Sequence, residues 1–236
     1  MSTVLKAGEI HEDAATRRFV HDNGLSLVIF ALFVVFLVGQ TVSGLYQYNE
    51  EQQEHGRPTV SLGEYVSSGH FVEATAENWE SEFLQMAFYV LLTAFLFQKG
   101  SSESKKIGER EAVDRDPRRS KHKDDAPWPV RRGGWILTLY EHSLTLAFLL
   151  LFVISFALHA IGGAEQYNQG QLEHGGDIVS VGQYLSTSQF WFESFQNWQS
   201  EFLALGAMAV LSIFLRQRGS PESKPVDAPH SQTGSE

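Results

Sequence analysis

The chain has 236 residues, 43% of them hydrophobic, and a formal net charge of −10. It has no cysteine, which excludes disulfides, thiolate chemistry and cysteine-ligated metals. Such averages suit an ordinary soluble domain, but the distribution of apolar residues along the chain does not.

Residues 1–20 read as a cytoplasmic N-terminal segment carrying Lys6, Arg17 and Arg18. Residues 25–43 then contain no charge over 19 positions, close to the ~20 residues that cross hydrocarbon. The run follows two arginines, as a signal peptide would. Its apolar core exceeds the usual ~7–15 residues, however, and no A-x-A-like site follows, so an uncleaved span over about 25–44 is expected. The next apolar run, 83–97, gives only roughly 22 Å of helix against a ~30 Å core. Its cytoplasmic end is fixed by Gln98-Lys99-Gly100, so the span is extended backwards to about 79–98, with Trp79 at the outer interface. These two spans form a hairpin over 21–100. A charged cytoplasmic linker follows at 101–132. A second hairpin over 133–218 has spans at about 143–162 and 198–217, and a disordered cytoplasmic tail is expected over 219–236.

Shifting the sequence by 119 positions aligns 21–105 with 140–224 without a gap, and 34 of the 85 positions are identical. The hairpin is therefore an internal repeat. Gln47-Tyr48-Asn49 returns as Gln166-Tyr167-Asn168, Glu54-His55-Gly56 as Glu173-His174-Gly175, and NWESEFL (78–84) as NWQSEFL (197–203). An even number of spans per copy makes this a parallel repeat. Of the 18 Lys and Arg, only Arg57 falls in the loops inside the hairpins, roughly 45–81 and 164–200. The positive-inside rule then places both termini and the linker in the cytoplasm. The expected fold is all-α, an integral-membrane four-helix bundle of two tandem hairpins with outer-face interfacial helices. Ser61-Leu62-Gly63-Glu64 and Ser180-Val181-Gly182-Gln183 both fit the S-x-x-E/Q capping box and should each start a short outer helix. The aromatic residues Phe71 and Phe190-Trp191-Phe192 suggest that the following segments lie on the bilayer surface.

Polar residues mark the outer ends of the spans. Asn78, Ser81, Glu82 and Gln85 are spaced i, i+3, i+4, i+7 on one helical face, and Asn197, Ser200 and Glu201 repeat them. Gln40, Ser43, Gly44 and Gln47 make a partner stripe, matched by His159, Gly162, Gly163 and Gln166. Polar groups at this depth must face protein or water, so the stripes are expected to face each other, with glycines allowing close helix packing. The site candidates are Glu82, Glu201, Gln47, Gln166, Asn78, Asn197, Ser81, Ser200, Gln40 and His159. A more peripheral set is Glu54, His55, Glu173 and His174. Two readings stand side by side: a hydrogen-bond network tying loop to helix, or a site for protons or cations.

No G-x-S-x-G, H-E-x-x-H, Walker A or dinucleotide fingerprint is present, so no catalytic residue, cofactor or metal is assigned. The expected partners are the lipid bilayer and a membrane-protein partner or second copy. With no basic patch outside the linker, nucleic acid is not expected. The leading class is a non-enzymatic scaffold or interaction subunit. A small transport or cation-handling unit and a membrane enzyme with an outward site are the alternatives. The repeated Q-x-E/Q-H-G turn, the NWxSEFL entry and the stops QKGSSESK and QRGSPESKPV resemble an uncharacterised bacterial membrane-protein family, domain of unknown function 6766, over about 17–230. The resemblance implies a bacterial inner-membrane location and brings no activity.

Overall fold

A computed structural model describes residues 16–234, and within them the chain is helical with no strand. Residues 1–15 of the N-terminal segment and 235–236 of the tail lie outside the described residues. The chain divides into two compact units, one ending at Phe71 and the other beginning at Val72.

The first unit is built on α1 (Gly24–Glu54). No proline interrupts it, and its 31 residues amount to roughly 46 Å. It ends in a Schellman motif: Gly56 takes φ 70°, its amide donates to Gln53, and the Arg57 amide donates to Gln52 at 2.8 Å. The Asn49 side chain then holds the returning strand of loop, donating to Val60 O at 3.1 Å and accepting from Val60 N at 2.7 Å. The expected capping box forms at Ser61 and Glu64 and starts α2 (Leu62–Val66). That short helix buries Tyr65 against Gly44, where a β-carbon would strike the phenol. Gly44 thus admits a ring from the outer segment, a different use from the helix–helix contact expected of it.

The second unit holds most of α3 (Gly69–Phe95), then α4 (Trp128–Arg132), α5 (Gly134–Glu141), α6 (Ser143–Glu173), α7 (Val181–Tyr184) and α8 (Ser188–Phe214). The same local devices recur. Gly175 has φ 71°, the Gly176 amide donates to Gln171 at 2.7 Å, and Asn168 brackets Val179 at 2.9 and 2.7 Å. Ser180 and Gln183 form the second capping box. Tyr184, fully buried, lies against Gly163 and packs in a cluster with Ala160, Ala164 and Phe190. Phe71 and Phe190-Trp191-Phe192 belong to the first turns of α3 and α8, each an unbroken 27 residues. No proline stands between residues 69 and 95 or 188 and 214, and Thr187 caps α8 by accepting from the Phe190 amide. Both helices stop three residues short of Gln98 and Gln217.

At the far end of α8 the Arg216 guanidinium donates to the carbonyls of Ser212, Ile213 and Leu215, which the helix leaves unpaired. The tail, expected as disordered from Gly219, is folded back on itself. Buried Lys224 donates to the carbonyls of Gly100, His230 and Gln232 at 2.5–3.1 Å. Desolvation holds its ammonium below the usual lysine pKa. An ammonium that finds several carbonyls in a polar segment is a long-range arrangement that composition does not register.

Two helices, α1 and α6, are long and apolar enough to cross a membrane by length and composition. The apolar windows of α1 and α6 are 0% and 17% buried.

Candidate functional site

The second unit gathers four glutamates around one histidine. Glu73, Glu77 and Glu80 recur at i, i+4 and i+7 on α3 and so share a face. His159 comes from α6 and Glu193 from the first turns of α8. The imidazole is fully buried and stacked on Phe190, with ring centroids 4.8 Å apart.

Partners separate the carboxylates into two kinds. Glu80 is fully buried with both oxygens engaged: Oε2 accepts from His159 Nδ1 at 2.8 Å and Oε1 from Trp198 Nε1 at 2.9 Å. It ties α3, α6 and α8 together. A carboxylate can only accept, so Nδ1 carries the imidazole proton in this bond. His159 Nε2 is then directed at the others, 3.7 Å from Glu193 Oε2 and 4.0 Å from Glu77 Oε2, and makes no hydrogen bond. Glu193 is held by Tyr184, which donates at 2.8 Å, and by Gln189 at 2.9 Å. The Tyr184 hydroxyl lies 3.4 Å from Glu73 Oε1. One ligand atom each from Glu73, His159 and Glu193 fall within 4.8 Å of one another.

Glu73, Glu77 and Glu193 precede the expected spans 79–98 and 198–217. Burial, with Glu193 and Glu77 close by, pushes the Glu73 carboxyl up to about 7, and burial raises Glu77 as well. Burial acts on Glu193 in the same direction, but His159, Tyr184 and Gln189 outweigh it and hold that carboxyl low. Among the described residues, no lysine or arginine pairs with any of the four in a salt bridge.

Of the residues singled out in the sequence, His159 is at the centre. Gln166 is half-buried on the same face of α6, with its Oε1 unpaired. Ser81 is buried and bonded to Asn78 O, while Asn78 itself is exposed. Asn197 is half-buried and donates to Glu193 O, and exposed Ser200 bonds Asn197 O. Glu82 is exposed, and half-buried Glu201 accepts from Gln85 through its backbone carbonyl at 2.8 Å. Gln40 and Gln47 are exposed in the first unit. Glu54, His55, Glu173 and His174 form the exposed last turns of α1 and α6, where the imidazoles donate to Glu51 O and Gly170 O at 2.8 Å. His55 and His174 are the residues at which those helices end, just ahead of Gly56 and Gly175. Glu73, Glu77, Glu80 and Glu193 were not singled out. A signal for three of them was present as the 73/77/80 helical spacing.

The family model that matches the chain, over residues 16–235, is described as Domain of unknown function (DUF6766). No curated protein and no solved structure matches it.

Proposed function

The chain belongs to this DUF6766 family, a membership that brings no activity with it, and from that premise we propose a bacterial inner-membrane protein of four spans that binds a cation on its outer-leaflet side. Its spans would be α1, α6 and the later parts of α3 and α8, over about 25–44, 143–162, 79–95 and 198–214. The Lys and Arg distribution supports cytoplasmic termini, and the 119-residue offset supports two hairpins of like orientation.

The observation that carries the cation is the group of four glutamates around one buried imidazole, with no lysine or arginine paired to any of them among the described residues. Removing carboxylates from water costs several kcal/mol each unless opposite charge accompanies them. Arg57 is the single lysine or arginine in 45–81 and 164–200, and one imidazole offsets at most one of four carboxylates, which leaves a place for a cation. The repeat adds a second argument. Glu73, Glu77, Glu80, His159 and Glu193 fall opposite Phe192, Gln196, Gln199, Gln40 and Ala74. The hairpin architecture therefore accepts neutral residues at these places, and the charged set serves something besides folding. Glu80 alone favours the scaffold reading, since both its oxygens join helices. Binding is favoured over passage because 25–37 and 91–97 contain no charged residue to continue a path inward.

The test is thermal unfolding of the purified protein in detergent, with Na+, K+, Mg2+, Ca2+, Mn2+ and Zn2+ in turn. A cation at a hundred times its Kd adds about 2.7 kcal/mol, so at least one should raise Tm by several degrees. The Glu73→Gln/Glu193→Gln double variant should lose that rise. A wild-type protein whose Tm ignores every cation would sink the proposal.

A further inference from the structure

Resting on this cation-binding reading, we infer that the ion is a divalent first-row transition metal, held by His159 Nε2 with the carboxylates of Glu73 and Glu193. The imidazole carries the inference. Its Nδ1 is committed to Glu80, which fixes the ring and leaves Nε2 as the nitrogen presented to the cluster. That nitrogen is fully buried and unbonded, and faces Glu193 and Glu77 at 3.7 and 4.0 Å. Both separations exceed hydrogen-bond length, so a proton placed on Nε2 would have no partner at bonding distance. The Glu193 separation comes close to what a metal requires, and the ligand atom of Glu73 lies within 4.8 Å of those of His159 and Glu193. With metal–ligand bonds of about 2.1 Å, the ligand atoms of a tetrahedral site stand roughly 3.4 Å apart. A movement of a few tenths of an ångström brings Glu193 and His159 to that spacing.

The surroundings match those of a ligand set. A ligating histidine characteristically donates its other N–H to a carboxylate, and ligating carboxylates are themselves hydrogen-bonded. Here Glu80 receives the His159 proton and is held by Trp198, and Glu193 is held by Tyr184 and Gln189. The Glu193 and Glu77 side chains keep 22% and 23% of their exposure, which leaves an edge for the ion to enter. Donor chemistry selects the class of metal. Calcium and magnesium take oxygen ligands and would leave the imidazole idle. Imidazole with carboxylate suits zinc, iron or manganese, and the thiolates of softer sites are absent from the sequence.

The experiment loads chelator-treated full-length protein with Zn2+, Mn2+ or Co2+, measures retained metal, and records X-ray absorption and the visible bands of Co2+. One ion per chain is expected, with nitrogen and oxygen neighbours at about 2.0–2.2 Å. Affinity should fall at least tenfold in His159→Gln, which places in α6 the residue found opposite it at position 40, and in Glu193→Gln. Exposed Glu82→Gln should bind as wild type does. Helical circular dichroism and elution volume report folding. If His159→Gln does not fold, Glu193→Gln decides, because its amide can still accept from Tyr184. No retained transition metal, or equal retention in the folded variants, overturns the inference. A Tm rise with Ca2+ or Mg2+ alone would overturn it and leave the cation-binding reading standing, whereas silence toward every cation removes both.

Discussion

Ser61 and Glu64 satisfy each other's backbone amides, with Glu64 Oε2 accepting from the Ser61 amide at 2.7 Å. The hydrogen bonds from the Ser61 backbone and side chain hold the Glu64 carboxyl below its ordinary 4.5. A carboxyl lowered on folding stabilises the folded form above its unfolded pKa, and that contribution is lost as pH falls through the folded value. At the matching place Gln183 Oε1 accepts from the Ser180 amide at 2.8 Å with nothing to ionise. Below about pH 4.5, the Ser61 amide resonance should therefore move with the Glu64 titration while that of Ser180 stays in place. Backbone NMR of the protein in micelles checks this, and a parallel shift at Ser180 would contradict it. The capping residues were legible because a cap involves residues three positions apart. The glutamates of the cluster were harder to read. The stripe 78, 81, 82, 85 shares Ser81 and Gln85 with the buried face of α3, but that face runs through Glu77, Glu80, Leu84 and Ala87. Glu82, exposed, stands two residues from Glu80, fully buried, and so on nearly the opposite side of the helix. Spacing defines a face without saying which face meets a neighbour.

Gly163 shows the same gap between pattern and partner at the level of helices. A glycine in a helix facing another element suggested helix–helix approach, yet the group that fills its space is the Tyr184 ring of α7. A β-carbon there would stand 2.5–2.8 Å from the hydroxyl oxygen and two ring carbons of a side chain with no exposure. Gly163→Ala should cost about 1–3 kcal/mol through overpacking. It should also disturb the Tyr184 bond to Glu193. Gly170 lies in the same helix with open space around it. Gly170→Ala should instead stabilise by about 0.5–1 kcal/mol through helix propensity. Unfolding of the two variants in the same detergent measures the contrast, and equal effects would remove the packing explanation. The turn Glu-His-Gly, a peripheral candidate in the sequence, is local in the structure. Its residue types suit a metal, but its glycine ends α1 and α6 in Schellman motifs, and each histidine is turned back onto a carbonyl of its own helix. The extents of α3 and α8 were also hard to read, because apolarity ends at the carboxylates while helix propensity continues beyond them.

Over the whole molecule, the distribution of apolar surface and of charge must be consistent with one environment. Leu25, Phe30 and Phe36 are 77%, 68% and 69% exposed, in an α1 window that protein buries nowhere. Leaving such a side chain in water forgoes about 1.5–3 kcal/mol, and ten of them would exceed the roughly 5–15 kcal/mol by which a domain is stable. A lipid environment removes that penalty, and the same holds for Leu144, Leu150 and Val153 on α6. Charge then sets direction. Seventeen of the 18 lysines and arginines lie in the termini and the joining segment, and those segments resist translocation. The four-span proposal predicts that a reporter fused after residue 110, or at the C-terminus, is cytoplasmic. Inserted near Arg57 or Asp177, the same reporter should lie outside. Paired phosphatase and fluorescent-protein fusions in a bacterial host read both compartments. If only α1 and α6 crossed, the joining segment would lie on the opposite side from both termini, and the fusion after residue 110 would report outside while the C-terminal one reported inside. That disagreement between the two fusions would reject four spans and move Glu193 off the outer face, whatever the cation experiments show.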